Sequence, residues 1–206
     1  MNVIIDYGLG NLNSVQKGFE RVGLDTKISS DIEDIKNSNS LILPGVGAFR
    51  DAINLLKEKN LKDVIIEEVN KGKNILGICL GMQLLYEKSY ENGIYNGLGL
   101  IKGNIKKFDI NLKVPHMGWN DLKIKQDNQI IKYIEEGDYV YYVHSYYAEG
   151  REEDIVAYSE YEVQVPGIIN KKNIYGIQFH PEKSGKVGHN ILKAYKEIIK
   201  WKYFQL

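Results

Sequence analysis

An α/β domain, with a mixed but mostly parallel central sheet flanked by helices, is what the sequence predicts. Three observations predict it. Short, unbroken apolar runs alternate with helix-spaced segments through the first half of the chain. From about Gly97 the texture changes to closely spaced stretches rich in Tyr, Val and Ile, separated by polar turns. The 206 residues are 43% hydrophobic and 26% charged, enough chain for one sizeable core under an ordinary polar surface.

Val3-Ile4-Ile5 reads as the first strand, and residues 11–22 as the helix after it, with Leu12, Val15, Phe19 and Val22 on one face. Ser40-Leu41-Ile42-Leu43 is a second buried strand, stopped by Pro44-Gly45. Residues 52–69 carry helical spacing with a break near Asn60. Asn74-Ile75-Leu76-Gly77-Ile78 is a further strand, and residues 80–86 resume as helix. Such alternation joins parallel strands by helical crossovers. In the second half, residues 105–108, 122–124, 139–143, 155–158, 163–169 and 174–177 read as short strands of antiparallel type, and 186–202 as a last helix. With no low-complexity linker and no internal repeat, residues 1–206 are expected to form one domain.

The 27 basic and 27 acidic side chains cancel, which argues against nucleic acid held through its phosphates. One cysteine, Cys79, excludes an internal disulfide framework, and no CxxC pair exists to hold zinc, so neither metal nor cofactor is expected. The start, Met1-Asn2-Val3-Ile4-Ile5-Asp6, lacks a basic region, and no apolar run approaches the roughly 20 residues of a membrane helix. A cytoplasmic protein without membrane contact is the expectation.

Gly77-Ile78-Cys79-Leu80-Gly81 lies where a buried strand runs into a helix, the pattern of a nucleophile elbow with cysteine in place of serine. A tight turn leaves no room for side chains beside the nucleophile and often strains its backbone. It would expose the sulfur at the start of the next helix, where thiolate is favoured. The plain alternative is a small core cysteine; the flanking glycines tip the balance to the elbow. A thiolate needs a base, and the base an orienting group. Gln178-Phe179-His180-Pro181-Glu182 supplies both, provided that Pro181 turns the chain so His180 and Glu182 converge. Pro44-Gly45-Val46-Gly47 could aim a backbone N–H at a developing oxyanion. Leu80, next to the nucleophile, would supply one donor and Val46 the other.

With these motifs the chain resembles the class I (triad) glutamine amidotransferases, whose core is flavodoxin-like. Asp6-Tyr7-Gly8-Leu9-Gly10-Asn11, Pro115-His116-Met117-Gly118-Trp119-Asn120 and Val143-His144-Ser145-Tyr146 carry the likeness along the chain. Pro44-Gly45-Val46-Gly47 and His116-Met117-Gly118-Trp119-Asn120 point to the branch whose glutaminase subunits serve a (β/α)8 cyclase subunit in histidine biosynthesis. The resemblance implies hydrolysis of L-glutamine through a thioester on Cys79, with ammonia delivered to that cyclase within a heterodimer. It implies glutamine contacts from Gly47, Gln83, Glu91, Ser145 and Tyr146, and a partner face containing Pro115, Met117, Trp119, Asn120, Tyr141 and Lys183. Where the family commonly has two acidic residues after the elbow helix, this chain has Tyr90-Glu91, which keeps the second carboxylate.

Other readings stand beside this one. Gly8-Leu9-Gly10 lacks the third glycine of a dinucleotide fingerprint, because position 13 is Asn13. Residues 115–120 could be a core loop around a buried Trp119. A paralogous amidotransferase aminating a nucleotide-linked sugar would share every catalytic motif. A free-standing cysteine hydrolase would share the elbow, and a catalytically dead binding module would not need it intact.

Overall fold

In the computed structural model, which describes residues 1–201, β1 (Asn2–Ile5) leads through α1 (Leu12–Arg21) to β2 (Thr26–Ser29), and α2 (Ile32–Asn37) to β3 (Ser40–Leu43). Next come α3 (Phe49–Glu58), α4 (Leu61–Asn70), β4 (Asn74–Ile78) and a short α5 (Leu80–Leu84). The chain continues as β5 (Tyr86–Ser89), β6 (Tyr95–Asn96), β7 (Ile101–Lys107), β8 (His116–Asp121) and β9 (Lys123–Ile124). Then come β10 (Tyr139–His144), β11 (Tyr146–Gly150), β12 (Ile155–Glu160), β13 (Gln164–Lys171), β14 (Ile174–Ile177) and α6 (Gly185–Trp201).

Eight strands form one sheet in the order β2-β1-β3-β4-β14-β13-β12-β9. Every pairing from β2 to β14 is parallel, and those from β14 to β9 are antiparallel. The two textures of the sequence therefore meet at β14, inside one sheet. Its register sets Ile177 beside Ile78, so the chain just past β14 lies next to the chain just past β4. Strand alternation sorts the core into two layers. Ile4, Ile42, Leu76, Ile78 and Ile177 pack against α1 and α6 through Val15, Phe19, Leu192 and Tyr195. Val3, Ile5, Leu41, Leu43 and Ile75 face Ile35, Phe49, Leu56 and Ile65 on the opposite side. Each such buried side chain contributes about 1.5–3 kcal/mol.

The structure departs from the sequence expectations in places with physical causes. β2 and α2 were not foreseen: β2 has one large apolar residue, Ile28, and α2 is a six-residue helix started by Asp31, whose side chain accepts from the Glu33 and Asp34 N–H groups. The break near Asn60 is real, with Asn60 in the left-handed region at φ 58° between α3 and α4. The helix expected over 80–86 stops at Leu84, and Tyr86 opens β5. Residues 115–120 do not form a core loop: residues 116–120 lie in β8, paired antiparallel with β10. Lys202, the expected end of the last helix, lies outside the described residues. Among the described residues no helix is long and apolar enough to cross a membrane.

Candidate active site

Cys79 alone makes the turn between β4 and α5, with φ 53° and ψ −113°. A non-glycine residue there stores roughly 1–3 kcal/mol of strain that its surroundings must hold in place. They do so by close approach. A Cβ added to Gly81 would lie 1.7 Å from the Leu43 carbonyl oxygen, and one added to Gly77 would lie 2.6 Å from the Gly81 oxygen. The helix start expected to favour the thiolate is short, since α5 has only five residues. What it offers the sulfur is its unbonded first-turn N–H groups, not a long macrodipole.

After β14 the chain runs Gln178-Phe179-His180 and then turns through a 3₁₀ segment, Pro181–Lys183. That turn brings His180 Nδ1 within 2.9 Å of Glu182 Oε1, with both side chains almost fully buried. Burial by itself would push the imidazolium down. Interaction with Cys79 and with Glu182 outweighs it, so His180 lies well above its ordinary value. With Nδ1 committed to Glu182, Nε2 is buried and carries no other hydrogen bond. The His180 main chain is fixed too: its N–H donates to the Tyr141 carbonyl at 3.0 Å, and its carbonyl accepts from Ser184 Oγ at 2.7 Å.

A cavity of about 290 Å³ opens beside Cys79 and His180. Val46 and Gly47 line it from the loop after β3, Leu80 and Gln83 from α5, and Glu91, Ser145 and Tyr146 from the far wall. That is the small end of ligand sites, suited to an amino acid rather than a nucleotide. Gln83 Nε2 donates to the Tyr146 carbonyl and to Gln178 Oε1, each at 3.0 Å. Glu91 Oε2 accepts the Phe49 N–H at 2.8 Å, which also caps α3. Gln178 was missed by sequence reasoning: fully buried, it links Gln83 to Cys79, with Nε2 3.9 Å from Sγ. Its signal was its place directly after the strand that precedes His180. Tyr7 was missed as well; its hydroxyl donates to the Pro44 carbonyl at 2.8 Å, anchoring the base of the Val46 loop. A larger hollow of about 600 Å³ beside α6 is lined, among the described residues, by ones such as Tyr175 and Glu197 but by no cysteine or histidine. Among the described residues no group of His, Cys, Asp or Glu is placed to hold a metal ion.

Of the six residues assigned to a partner face, Met117 and Trp119 project outward, 59% and 56% exposed. Trp119 packs edge-on against Tyr141, ring centroids 5.9 Å apart, Lys183 is exposed, and Pro115 is half-buried. Asn120 does not join Met117 and Trp119: its side chain turns inward to His116 Nε2 and the Glu160 carbonyl. The reason is strand alternation, which sets residues 116 and 120 on the side of β8 opposite 117 and 119.

A strained cysteine, a histidine oriented by a buried carboxylate and an amino-acid-sized pocket are the parts that a cysteine-dependent amide hydrolase needs, here on a doubly wound sheet. Residues 3–197 match the family model "Glutamine amidotransferase class-I". A relative from Caldanaerobacter subterraneus subsp. tengcongensis, named imidazole glycerol phosphate synthase subunit HisH, is 53% identical over 96% of this chain and 98% of its own. One of the same name from Listeria monocytogenes is 52% identical over 96% of both chains. Among solved structures, a glutamine amidotransferase superimposes with a TM-score of 0.76 at 16% identity, over 96% of this chain and 98% of that one. PurLQS from Thermotoga maritima gives a TM-score of 0.73 at 19% identity, over 98% of both. The chain belongs to the class-I glutamine amidotransferases, in their imidazole glycerol phosphate synthase HisH branch.

Proposed function

We propose that this chain is the glutaminase subunit of imidazole glycerol phosphate synthase, and that it hands ammonia to a (β/α)8 cyclase subunit in a heterodimer. The observation that carries this is Cys79 at a strained elbow beside the His180–Glu182 pair, in a chain half-identical throughout to the HisH relatives. His180 Nε2 takes the Cys79 thiol proton, the Sγ thiolate attacks the glutamine side-chain carbonyl, and Leu80 and Val46 N–H groups receive the oxyanion. His180 Nε2 then gives its proton to the leaving nitrogen, which departs as ammonia and leaves a thioester. Next, His180 takes a proton from water, the hydroxide adds to the thioester carbon, and glutamate leaves as Cys79 is regenerated. Glu182 orients the imidazole and stabilises its charged form. Gly47, Gln83, Glu91, Ser145 and Tyr146 hold the substrate's amino-acid end. No step needs a metal or a cofactor.

Outward-facing Met117 and Trp119, with Tyr141 and Lys183 beside them, form the face offered to the cyclase. Tyr141 joins that face to the triad, since its carbonyl accepts the His180 N–H. A dry passage across the interface keeps ammonia neutral, whereas water at neutral pH would hold most of it as unreactive ammonium. A catalytic thiol suits the reducing cytoplasm.

Glutaminase turnover of the isolated chain, of the complex with the cyclase, and of the complex with the cyclase's nucleotide ligand tests this directly. Stimulation of at least about tenfold, some 1.4 kcal/mol of barrier, is the expected result. Equal rates in all three would favour a free-standing hydrolase, and no glutamine hydrolysis by the complex would overturn the assignment. A second expectation follows from the division of labour. The cyclase supplied with an ammonium salt at alkaline pH should form product without this chain; an absolute requirement for it would mean that it does more than deliver nitrogen.

A further inference from the structure

Two buried histidines, His116 and His144, take no part in the triad, although His144 lines the pocket. They form a continuous chain of contacts. Asn120 Nδ2 lies 3.3 Å from His116 Nε2, His116 Nδ1 lies 3.0 Å from His144 Nε2, and His144 Nδ1 lies 2.8 Å from the Tyr146 carbonyl oxygen. The His116 ring is stacked between Tyr142 and Tyr161, with centroids 4.5 Å and 4.0 Å away, so it cannot turn to find other partners.

The direction of the chain is set by both ends acting together. At the pocket end, a carbonyl oxygen only accepts, so His144 Nδ1 must carry a proton. At the other end, Asn120 Oδ1 accepts the Asp121 N–H at 2.9 Å and Nδ2 donates to the Glu160 carbonyl at 3.0 Å, which settles which amide atom faces His116. His116 Nε2 must then accept, and Nδ1 must donate to His144. The two ends demand the same pair of tautomers. Reversing His116 would set N–H against N–H at Asn120 and lone pair against lone pair at His144, losing two buried hydrogen bonds together.

We propose that this one-way chain positions the Ser145–Tyr146 wall of the glutamine pocket, with Asn120 as the positioning residue that sets the tautomers of His116 and His144. The proposal rests on the glutaminase assignment. Tyr146's carbonyl is where the chain ends, and it also receives Gln83 Nε2 at 3.0 Å, so its direction fixes both the wall and Gln83. Burial keeps both rings neutral, lowering His116 to about 4 and His144 to about 3, so each ring has one proton to place.

The test pairs ring-nitrogen NMR of the ¹⁵N-histidine-labelled full chain with glutamine kinetics of its complex with the cyclase. In the wild-type chain both rings should carry their proton on Nδ1. Asn120→Asp, close in size, sets an acceptor against His116 Nε2 and should protonate that nitrogen; Asn120→Ala removes one of the two constraints, so the second His116 tautomer should appear as a minor form beside the first. Either variant should raise the glutamine KM about fivefold, the worth of one positioned hydrogen bond, with kcat changed less than about twofold at saturating cyclase. Should Asn120→Asp not fold, because its carboxylate also faces the Glu160 carbonyl, Asn120→Ala gives the same two readouts. Unchanged tautomers in both variants, or changed tautomers with an unchanged KM, would overturn the proposal. A wild-type complex that releases no ammonia from glutamine would instead overturn the assignment beneath it, and the NMR result would show which had failed.

Discussion

Replacing Cys79 with alanine or serine is expected to abolish glutamine hydrolysis while leaving the fold and cyclase binding intact. Cys79 is the chain's one thiol and sits alone in the elbow, with its sulfur beside the His180 ring and the Val46 loop. Removing the nucleophile of such a triad costs on the order of 10⁶ in kcat, and His180→Ala should cost about as much, because the members act as a unit. Glu182→Gln should be milder, roughly 10⁴, since Glu182 orients the ring and supports its charge without touching substrate. It should also move His180 down from its raised value, because one of the two groups holding it up is gone. The base would then be neutral at lower pH, and the limb of the pH–rate profile set by His180 should shift to lower pH. Strain at Cys79 adds a stability signature. Cys79→Gly should unfold at higher denaturant than Cys79→Ala, by about 1 kcal/mol, although glycine ordinarily lowers stability. Ammonia release from glutamine and urea unfolding measure both halves. A Cys79→Ala protein that turns over at near the wild-type rate would remove the thioester from the mechanism.

The elements proposed for catalysis were legible because their chemistry demands local signatures. An elbow needs glycines against the nucleophile, and Gly77 and Gly81 prove to be in contact with backbone that admits no Cβ. A base and its carboxylate two residues apart need a turn, and Pro181 supplies it. The alternation of buried strands and amphipathic helices was legible for a similar reason, since each buried segment such as Leu41-Ile42-Leu43 has to be apolar on both faces. What stayed hidden depends on pairings between distant segments. Nothing local to 74–78 or 174–177 says that they are parallel neighbours, yet that register is what brings Cys79 to His180. Short edge elements such as β2 bury too little to leave a pattern. Asn120 and Gln178 were opaque for another reason: an amide's role is set by which groups face it, and those lie across the sheet.

Gly81→Ala should be among the most damaging single-methyl changes in the chain. The added carbon would sit 1.7 Å from the Leu43 carbonyl oxygen and 2.7 Å from its carbon, both of them backbone. No side-chain rotation relieves that, so α5 and the end of β3 must separate. Overpacking of this kind costs about 3 kcal/mol or more, against a total stability of roughly 5–15 kcal/mol. Function should suffer beyond stability, because the two proposed oxyanion donors stand on opposite sides of this contact. Leu80 N–H belongs to α5, and Val46 N–H to the loop that follows β3 through Pro44. A displacement that withdraws one donor costs roughly 10²–10³ in rate even in molecules that stay folded. Gly18→Ala is the control. It lies within α1, where alanine gains helix propensity; its new carbon would meet Leu192 Cδ1 at 3.1 Å, which that side chain can ease, and Glu182 Cβ at 3.3 Å, which needs a shift of only a few tenths of an ångström. Its stability should stay within about 1 kcal/mol of wild type. Urea midpoints for both variants, with kcat measured on the folded fraction, separate the two effects. A Gly81→Ala chain with a wild-type midpoint and wild-type kcat would show that the elbow and the Val46 loop are not braced against each other.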